Sequence, residues 1–367
     1  MRVANSVTKH PVRAAAPNLA GVTPYDPKYI PAEVMISANE NPHDIPLEIR
    51  REIEHEVRKV ALNRYPDPLA NDLRDMIAAA NGLDRDNVIM GNGGDELLFN
   101  LALAYGGPGR TMLNIPPTFS VYAYNAMLTH TDVVDIPRRA DFGIDEDAVV
   151  ARLAQGDIDY LVITSPNNPT GDLASEQFVR RVLEASDALV MVDEAYFEFS
   201  RSTVRPLLAE YDNLVILRTF SKAFSLAGVR MGYLLANECV INEFKKVRQP
   251  YSVDAVSQAI ARVVYKNRAY FEKGVDEIIE QRGVLVQGLS EIPGIEIWPS
   301  DSNYVLVRMK DAGKVWQQLL DAGVLVRDFS QSKYLDNCLR ISVGAPEENQ
   351  RLLSALRSIM EGDSDAK

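Results

Sequence analysis

Lys222 lies among small and hydroxyl-bearing neighbours in the run Leu217-Arg218-Thr219-Phe220-Ser221-Lys222-Ala223-Phe224-Ser225, with Arg230 shortly after. Apolar runs on either side, Asn213 to Leu217 and Met231 to Ala236, read as buried strands. A lysine between them is poorly solvated, and desolvation disfavours its ammonium form. The free amine can attack a carbonyl and form a Schiff base. Taken alone, the run reads equally well as a loop carrying a solvent-facing lysine.

Other loops carry complementary groups. Asp193-Glu194-Ala195-Tyr196 puts a carboxylate and a phenol just past the apolar run Leu189 to Val192. Gly91-Asn92-Gly93-Gly94-Asp95-Glu96 joins a short strand, Val88 to Met90, to a helix that runs to Tyr105. Free backbone N–H groups and a helix N-terminus at such a junction hold a phosphate, although a tight turn that needs positive φ has the same composition. No Gly-Lys-Ser/Thr follows, and the glycines lack the spacing of dinucleotide sites. Ser165-Pro166-Asn167-Asn168-Pro169-Thr170-Gly171 is a stiff turn that presents amides.

These loops need a scaffold, and strands alternate with helices from residue 88 to residue 236. The strands are Thr111 to Ile115, Val133 to Ile136, Tyr160 to Thr164 and Leu189 to Val192; the helices are Pro117 to Leu128, Asp145 to Ala154 and Ser175 to Ala185. The alternation predicts an α/β fold with a mainly parallel central sheet covered by helices, and each polar cluster then falls at a strand's carboxyl end, where such sheets place their sites. Earlier, Leu47 to Leu62 and residues 69 to 80 have helical periods. Later, helices over Val240 to Val247, Ala255 to Tyr265 and Tyr270 to Leu289 lead into short strands at Ile295 to Trp298, Tyr304 to Arg308, Val324 to Arg327 and Cys338 to Val343. With helices at Val315 to Asp321 and Glu347 to Met360, these form a smaller α+β domain. The expected division is an N-terminal arm (1–34) joining the small domain, a large domain (35–255), a small domain (256–361) and a flexible tail (362–367).

The bulk properties narrow the function. The chain has 367 residues, 46% of them apolar, with a net charge of -12. It is long enough for a large core without disulfides or metal staples. Cys239 and Cys338 have no metal-ligand spacing, which fits a reducing cytoplasm. The acidic balance argues against nucleic acid as a partner. No apolar run reaches membrane-spanning length, and no signal peptide is read at the start. An anionic substrate stays open, because a few arginines in a cleft override a distant negative surface.

A cofactor with a phosphate, a protonatable ring nitrogen, a phenolate oxygen and an aldehyde would use each of the loops. Pyridoxal 5'-phosphate is such a cofactor, and its sites pair a Schiff-base lysine with an acid for the ring nitrogen. The chain resembles the fold-type I pyridoxal-phosphate enzymes of the class I/II aminotransferase family from about Tyr25 to about Gly344. Within that family it is most similar to the histidinol-phosphate aminotransferases. The motifs that carry the resemblance are Asn39-Glu40-Asn41-Pro42, Arg64-Tyr65-Pro66, Gly91 to Glu96, Pro117-Thr118-Phe119, Ser165 to Gly171, Asp193 to Tyr196, Arg218 to Arg230 and Arg340-Ile341-Ser342-Val343-Gly344.

The resemblance implies roles residue by residue. Lys222 would hold the cofactor and shuttle the substrate proton, and Asp193 would keep the pyridine nitrogen protonated. Tyr196 and Asn168 would hydrogen-bond the ring oxygen, and Phe119 would stack on the ring, where relatives often have tyrosine. The amides of Gly94 and Asp95, with Thr219, Ser221 and Arg230, would hold the phosphate; many relatives have Ser or Ala at the position of Gly94. Tyr65 would reach the partner's phosphate in a homodimer with shared active sites. Arg340 would take a substrate carboxylate, Arg327 a substrate phosphate, Asn39 would line the same end, and Tyr25 would close over the substrate. The implied reaction exchanges an amino group between L-histidinol phosphate and 2-oxoglutarate, with imidazole acetol phosphate and glutamate on the other side. Aromatic amino acid transamination and threonine-phosphate decarboxylation are the alternatives on the same scaffold. A regulatory module that binds the cofactor without turnover is a third, and the acidic balance counts against its DNA-binding partner domain.

Overall fold

The computed structural model describes residues 13–19, 22 and 29–364. Strand β1 (Val34–Met35) precedes helices α1 (Leu47–Val57) and α2 (Asn71–Asn81). The alternation then runs β2 (Val88–Asn92), α3 (Gly93–Tyr105), β3 (Thr111–Asn114), α4 (Val121–Leu128), β4 (Asp132–Asp135), α5 (Glu146–Leu153), β5 (Tyr160–Thr164), α6 (Glu176–Ala185), β6 (Leu189–Asp193), the short α7 (Phe197–Ser200), β7 (Leu214–Thr219) and β8 (Met231–Ala236). Helices α8 (Glu238–Val247), α9 (Ala255–Lys266) and α10 (Ala269–Ser290) follow. The chain continues through β9 (Ile295–Ile297), β10 (Tyr304–Met309), α11 (Ala312–Asp321), β11 (Val324–Leu325), β12 (Arg327–Asp328), β13 (Cys338–Ser342) and α12 (Pro346–Ser364).

The central sheet has seven strands in the order β2-β8-β7-β6-β5-β3-β4. Only β8 runs against the others. Every residue of β5, β6, β7 and β8 is buried, as a sheet covered on both faces requires. One core, with Leu73, Phe178, Val192 and Ile216, packs one face, and a second, with Leu97, Leu101, Met191 and Phe244, packs the other. Burying side chains of this size contributes about 1.5–3 kcal/mol each. The fold is therefore α/β with a mainly parallel central sheet. Local signals punctuate it: Asp145, Ser175 and Asp254 cap α5, α6 and α9 through their side chains, and Gly82 closes α2 at φ 62°.

The second sheet, in the order β12-β13-β10-β9, is antiparallel and packs against α10, α11 and α12. Its core contains Ile278, Leu289, Val305, Leu319 and Leu356, but also Tyr196, Phe199 and Ala223 from the larger unit. The candidate site thus lies where the two cores meet. Helix α9, which lies beyond the expected boundary at residue 255, contributes Ala261, Val263, Val264 and Tyr265 to the large-sheet core.

Three elements differ from the periodic reading. The helix expected to reach Leu62 stops at Val57, where Lys59 N bonds Glu56 O and Val60 N bonds Val57 O in tight turns. The helix expected from Pro117 begins at Val121, because the Pro117 carbonyl accepts from Asn167 Nδ2 at 3.0 Å instead of serving a helix. The single strand expected over Val324 to Arg327 breaks at Val326, whose carbonyl accepts from the Trp316 indole at 2.9 Å. Its first half pairs with β1 in a separate two-stranded sheet, and its second half pairs with β13.

Candidate active site

The loops that follow β2, β5, β6 and β7 open at one edge of the central sheet. Strand β8 runs the opposite way, so its start lies at that same edge, with Met231 opposite Asn92 and Gly232 opposite Thr219. Arg230, just before β8, is thereby delivered beside Gly93. The strand order, not nearness in sequence, brings these candidates together.

Asp193 ends β6 and is 4% exposed. Its Oδ2 accepts from the Tyr122 hydroxyl at 2.7 Å and its Oδ1 from the Ala195 amide at 3.0 Å. Burial, only partly offset by these two donors, pushes its pKa up to about 6. A carboxylate so enclosed calls for a cationic partner.

Lys222 is half-buried, and its Nζ donates to the Ala38 carbonyl at 3.0 Å. Desolvation first, then the neighbouring Arg340 charge, lowers its pKa to about 8. Its amine is therefore far closer to the reactive, unprotonated form at neutral pH than that of a free lysine.

The candidate anion cradle starts where β2 passes directly into α3. Gly93 has φ 77°, and a Cβ there would meet the Arg230 guanidinium at 2.6 Å. A Cβ on Gly232 would meet the Gly93 carbonyl carbon and the Gly94 amide nitrogen at 2.9 Å. Both close approaches require glycine. Asn92 makes no side-chain cap, so its side chain does not occupy the opening amides of α3. Arg230 is held in the left-handed region at φ 57°, a conformation uncommon for a residue with a Cβ and concentrated at functional sites. Its guanidinium lies 3.5 Å from Ser221 Oγ and pairs with Asp95 at 2.9 Å. Thr219 Oγ1 accepts from the Ser221 amide at 3.1 Å and so fixes the turn.

The small sheet supplies the facing wall. Arg340 is buried; it donates to Asn168 Oδ1 and, at 2.7 Å, to the Ser37 carbonyl. Asn39, at φ 55°, donates through Nδ2 to the Tyr196 hydroxyl at 3.0 Å. Its carbonyl accepts from Asn303, and its amide and side chain bond Ser342. Arg327 sits directly opposite Arg340 in the β12–β13 register.

Most of the expected residues are therefore gathered. Phe119 stands edge-on to Tyr122 with ring centroids 5.6 Å apart. Tyr65 is 80% exposed and stacks on Tyr251 at 4.5 Å, on the surface of this chain. Tyr25 lies outside the described residues.

The donor set fits pyridoxal 5'-phosphate: a lysine with a lowered pKa, a buried acid whose hydrogen-bond donors among the described residues are a phenol and an amide, and a glycine turn closed by an arginine and hydroxyls. The family described as aminotransferase class I and II matches residues 33–356. The chain belongs to this family. The aminotransferase is 39% identical over 327 residues to histidinol-phosphate aminotransferase of Pelodictyon phaeoclathratiforme, covering 89% of this chain and 92% of that one. It is 40% identical over 342 residues to histidinol-phosphate aminotransferase 1 of Carboxydothermus hydrogenoformans, covering 93% and 97%. Among solved structures it is similar to histidinol-phosphate aminotransferase from Sinorhizobium meliloti in complex with pyridoxal-5'-phosphate. That likeness has a TM-score of 0.81 at 23% identity and covers 90% of this chain and 92% of the other.

Sequence reasoning missed several residues that shape the aminotransferase's site. Tyr122 holds Asp193, Tyr304 donates to the Asn167 carbonyl at 2.6 Å, and Phe329 lies 5.7 Å from the guanidinium carbons of both Arg327 and Arg340. Arg218 forms a buried pair with Glu194 at 2.8 Å that ties the end of β7 to the loop after β6. Tyr122 had a faint signal, lying just past the Pro117-Thr118-Phe119 motif; Glu194 and Arg218 lie inside motifs that do not show their pairing, Tyr304 lies in a run that read only as a strand, and Phe329 had no signal.

Proposed function

We propose that the aminotransferase exchanges the amino group between L-glutamate and imidazole acetol phosphate, giving 2-oxoglutarate and L-histidinol phosphate, as a step of histidine biosynthesis. Its cofactor is pyridoxal 5'-phosphate, which when bound supplies an electron sink for the substrate carbanion. The observation that carries the reading is the Arg327–Arg340 pair. Two guanidinium groups side by side on one sheet face repel each other and favour an anion between them. Arg340 also stands near enough to depress the pKa of Lys222, which links this anion position to the reactive amine.

In this reading Lys222 holds the cofactor and moves a proton at the substrate's α-carbon. Asp193 holds the proton on the ring nitrogen. Tyr196 and Asn168 bind the ring oxygen, and Phe119 covers a ring face. The amides of Gly94 and Asp95, with Thr219, Ser221 and Arg230, bind the cofactor phosphate. Arg340 serves the carboxylate of glutamate and, with Arg327, the phosphate of histidinol phosphate. Asn39 orients Tyr196 and lines the substrate end, and Tyr25 closes over it.

The assembly is a homodimer with shared sites. The exposed Tyr65–Tyr251 stack supports this, because it leaves a large aromatic surface for a partner to cover. Within the chain, the working division is an arm (1–34), a large domain (35–255) against which α9 also packs, a small domain (256–361) and a tail (362–367). The location is the cytoplasm, from the acidic, cysteine-poor composition; among the described residues no helix is long and apolar enough to cross a membrane.

The test is a half-reaction without keto acid. Cofactor-loaded protein is mixed separately with L-histidinol phosphate, phenylalanine and threonine phosphate, while visible absorbance and CO2 release are followed. Fast loss of the visible band with histidinol phosphate, without CO2, is expected. An equal response to phenylalanine, or CO2 from threonine phosphate, would replace the substrate or the reaction type.

A further inference from the structure

The acid of the site is anchored by a buried chain of hydroxyls to which the transamination reading gives no part. Tyr122 of α4 is 3% exposed. Its hydroxyl donates to Asp193 Oδ2 at 2.7 Å and lies 2.7 Å from Thr164 Oγ1 at the end of β5. Thr118 Oγ1 stands 3.2 Å from that threonine oxygen and donates to Asn167 Oδ1 at 2.8 Å. Asn167 is itself gripped from the small sheet by the Tyr304 hydroxyl.

A phenol carries one proton. When it is given to an ionised Asp193, the bond between Tyr122 and Thr164 must be donated by the threonine. The donor order Thr164 to Tyr122 to Asp193 then points toward the negative charge, and each bond polarises the next. Without the phenol, Oδ2 would lose its side-chain donor at a buried position, where a carboxyl keeps its proton. A neutral acid cannot serve as counter-ion to a protonated ring.

We propose that Tyr122 is a positioning residue for the reaction: through Asp193, and braced by Thr164, it keeps the carboxylate ionised and turned so that its remaining lone pairs are left to the cofactor's ring nitrogen. This inference rests on the pyridoxal-phosphate reading of the site. The other ionisable groups whose fields reach this acid and phenol are Asp95 at the start of α3, Glu194 next along the chain and Tyr196. Tyr122 is the side chain whose hydroxyl donates directly to the Asp193 carboxylate, at 2.7 Å.

The experiment uses the cofactor-loaded protein and the variants Tyr122→Phe and Thr164→Ala. Tyr122→Phe removes one oxygen and keeps the edge-on ring contact with Phe119. The first readout is the pH titration of the visible band of the lysine-bound cofactor, which needs no substrate. With the ring nitrogen less protonated, the ring withdraws less electron density from the nitrogen of Lys222, so the titration should move up by roughly half a pH unit or more in Tyr122→Phe and by less in Thr164→Ala. The second is the half-reaction: kcat should fall roughly ten-fold, the worth of one hydrogen bond to a charged group, with KM for glutamate unchanged. Added to Asp193→Asn, Tyr122→Phe should cause no further loss, because it acts through that residue. A titration that stays in place while only thermal stability drops, or losses that multiply with Asp193→Asn, would overturn the proposal. A loaded wild type without any visible band would overturn the cofactor reading and this inference with it.

Discussion

Arg327 and Arg340 stand directly opposite each other across the β12–β13 ladder, with the ring of Phe329 5.7 Å from the guanidinium carbon of each. The ring's negative face eases two like charges held on one sheet face, and an anion bound between them would remove the remaining repulsion. Arg340 is anchored on Asn168 and on the Ser37 carbonyl. Arg327 is half-buried and lies at the end of a broken strand.

The two arginines should therefore separate in kinetics. Arg327→Met should raise KM for L-histidinol phosphate by roughly ten- to hundred-fold, the worth of a charge-assisted bond, while the glutamate half-reaction changes little. Arg340→Met should impair both half-reactions. Equal damage to the two substrates from Arg327→Met would remove it from phosphate binding. Stopped-flow half-reactions with each substrate provide the measurement.

Lys222 should set the pH dependence of cofactor capture. Its pKa near 8 means the amine gains protons as pH falls below that value. The rate at which apoprotein develops visible absorbance with added cofactor should fall about tenfold per pH unit below 8 and level off above it. A rate that keeps climbing to pH 10 would show an ordinary, solvated lysine. Lys222→Ala should show no visible band and no turnover.

Asp193 should carry a stability cost in the apoprotein. Its folded pKa, near 6, lies above its unfolded value, so between those two values the folded chain holds the extra proton and stability falls as pH rises. The cost is complete above about pH 6 and is bounded at roughly 3 kcal/mol. Apo Asp193→Asn should therefore gain in melting temperature over wild type at pH 8 but not at pH 4, while the loaded variant loses about two orders of magnitude or more in kcat. Thermal melts at both pH values decide this.

Gly93 and Gly94 should respond oppositely to a side chain. A Cβ on Gly94 would meet only the Leu217 side chain, at 3.6 Å, which is ordinary contact. Gly94→Ser should fold, bind the cofactor at least as tightly as wild type, and gain up to about 1 kcal/mol of stability from a stiffer unfolded chain. Gly93→Ala forces a Cβ into the Arg230 guanidinium at positive φ and should weaken cofactor binding at least tenfold. Cofactor titrations of both variants, read by fluorescence, test the contrast.

Tyr65 should act across subunits. Tyr65→Ala and Lys222→Ala chains, each impaired alone, should regain activity when unfolded and refolded together, because a mixed dimer contains one site with an intact lysine and an intact partner tyrosine. If Tyr65 served its own chain, no mixed dimer would have a complete site, and no activity would return.

The sequence by itself determined the order of strands and helices, the helix caps and the polar loops at strand ends. These depend on side-chain period and on turn chemistry, both properties of neighbouring residues. It also supplied the chemical types of the candidate site: Lys222, Asp193, the paired glycines and Arg230. Tertiary structure decided which of them meet. Asn39 bonds Tyr196 and Tyr122 bonds Asp193 across long stretches of chain, because sheet order and packing set those approaches and no local period encodes them. The break at Val326 had the same origin: a distant indole captured one carbonyl, and the strand that looked continuous divided between two sheets, placing Arg327 opposite Arg340. The lowered pKa of Lys222 is likewise a tertiary property, since burial and the Arg340 charge that cause it come from segments far apart in the chain.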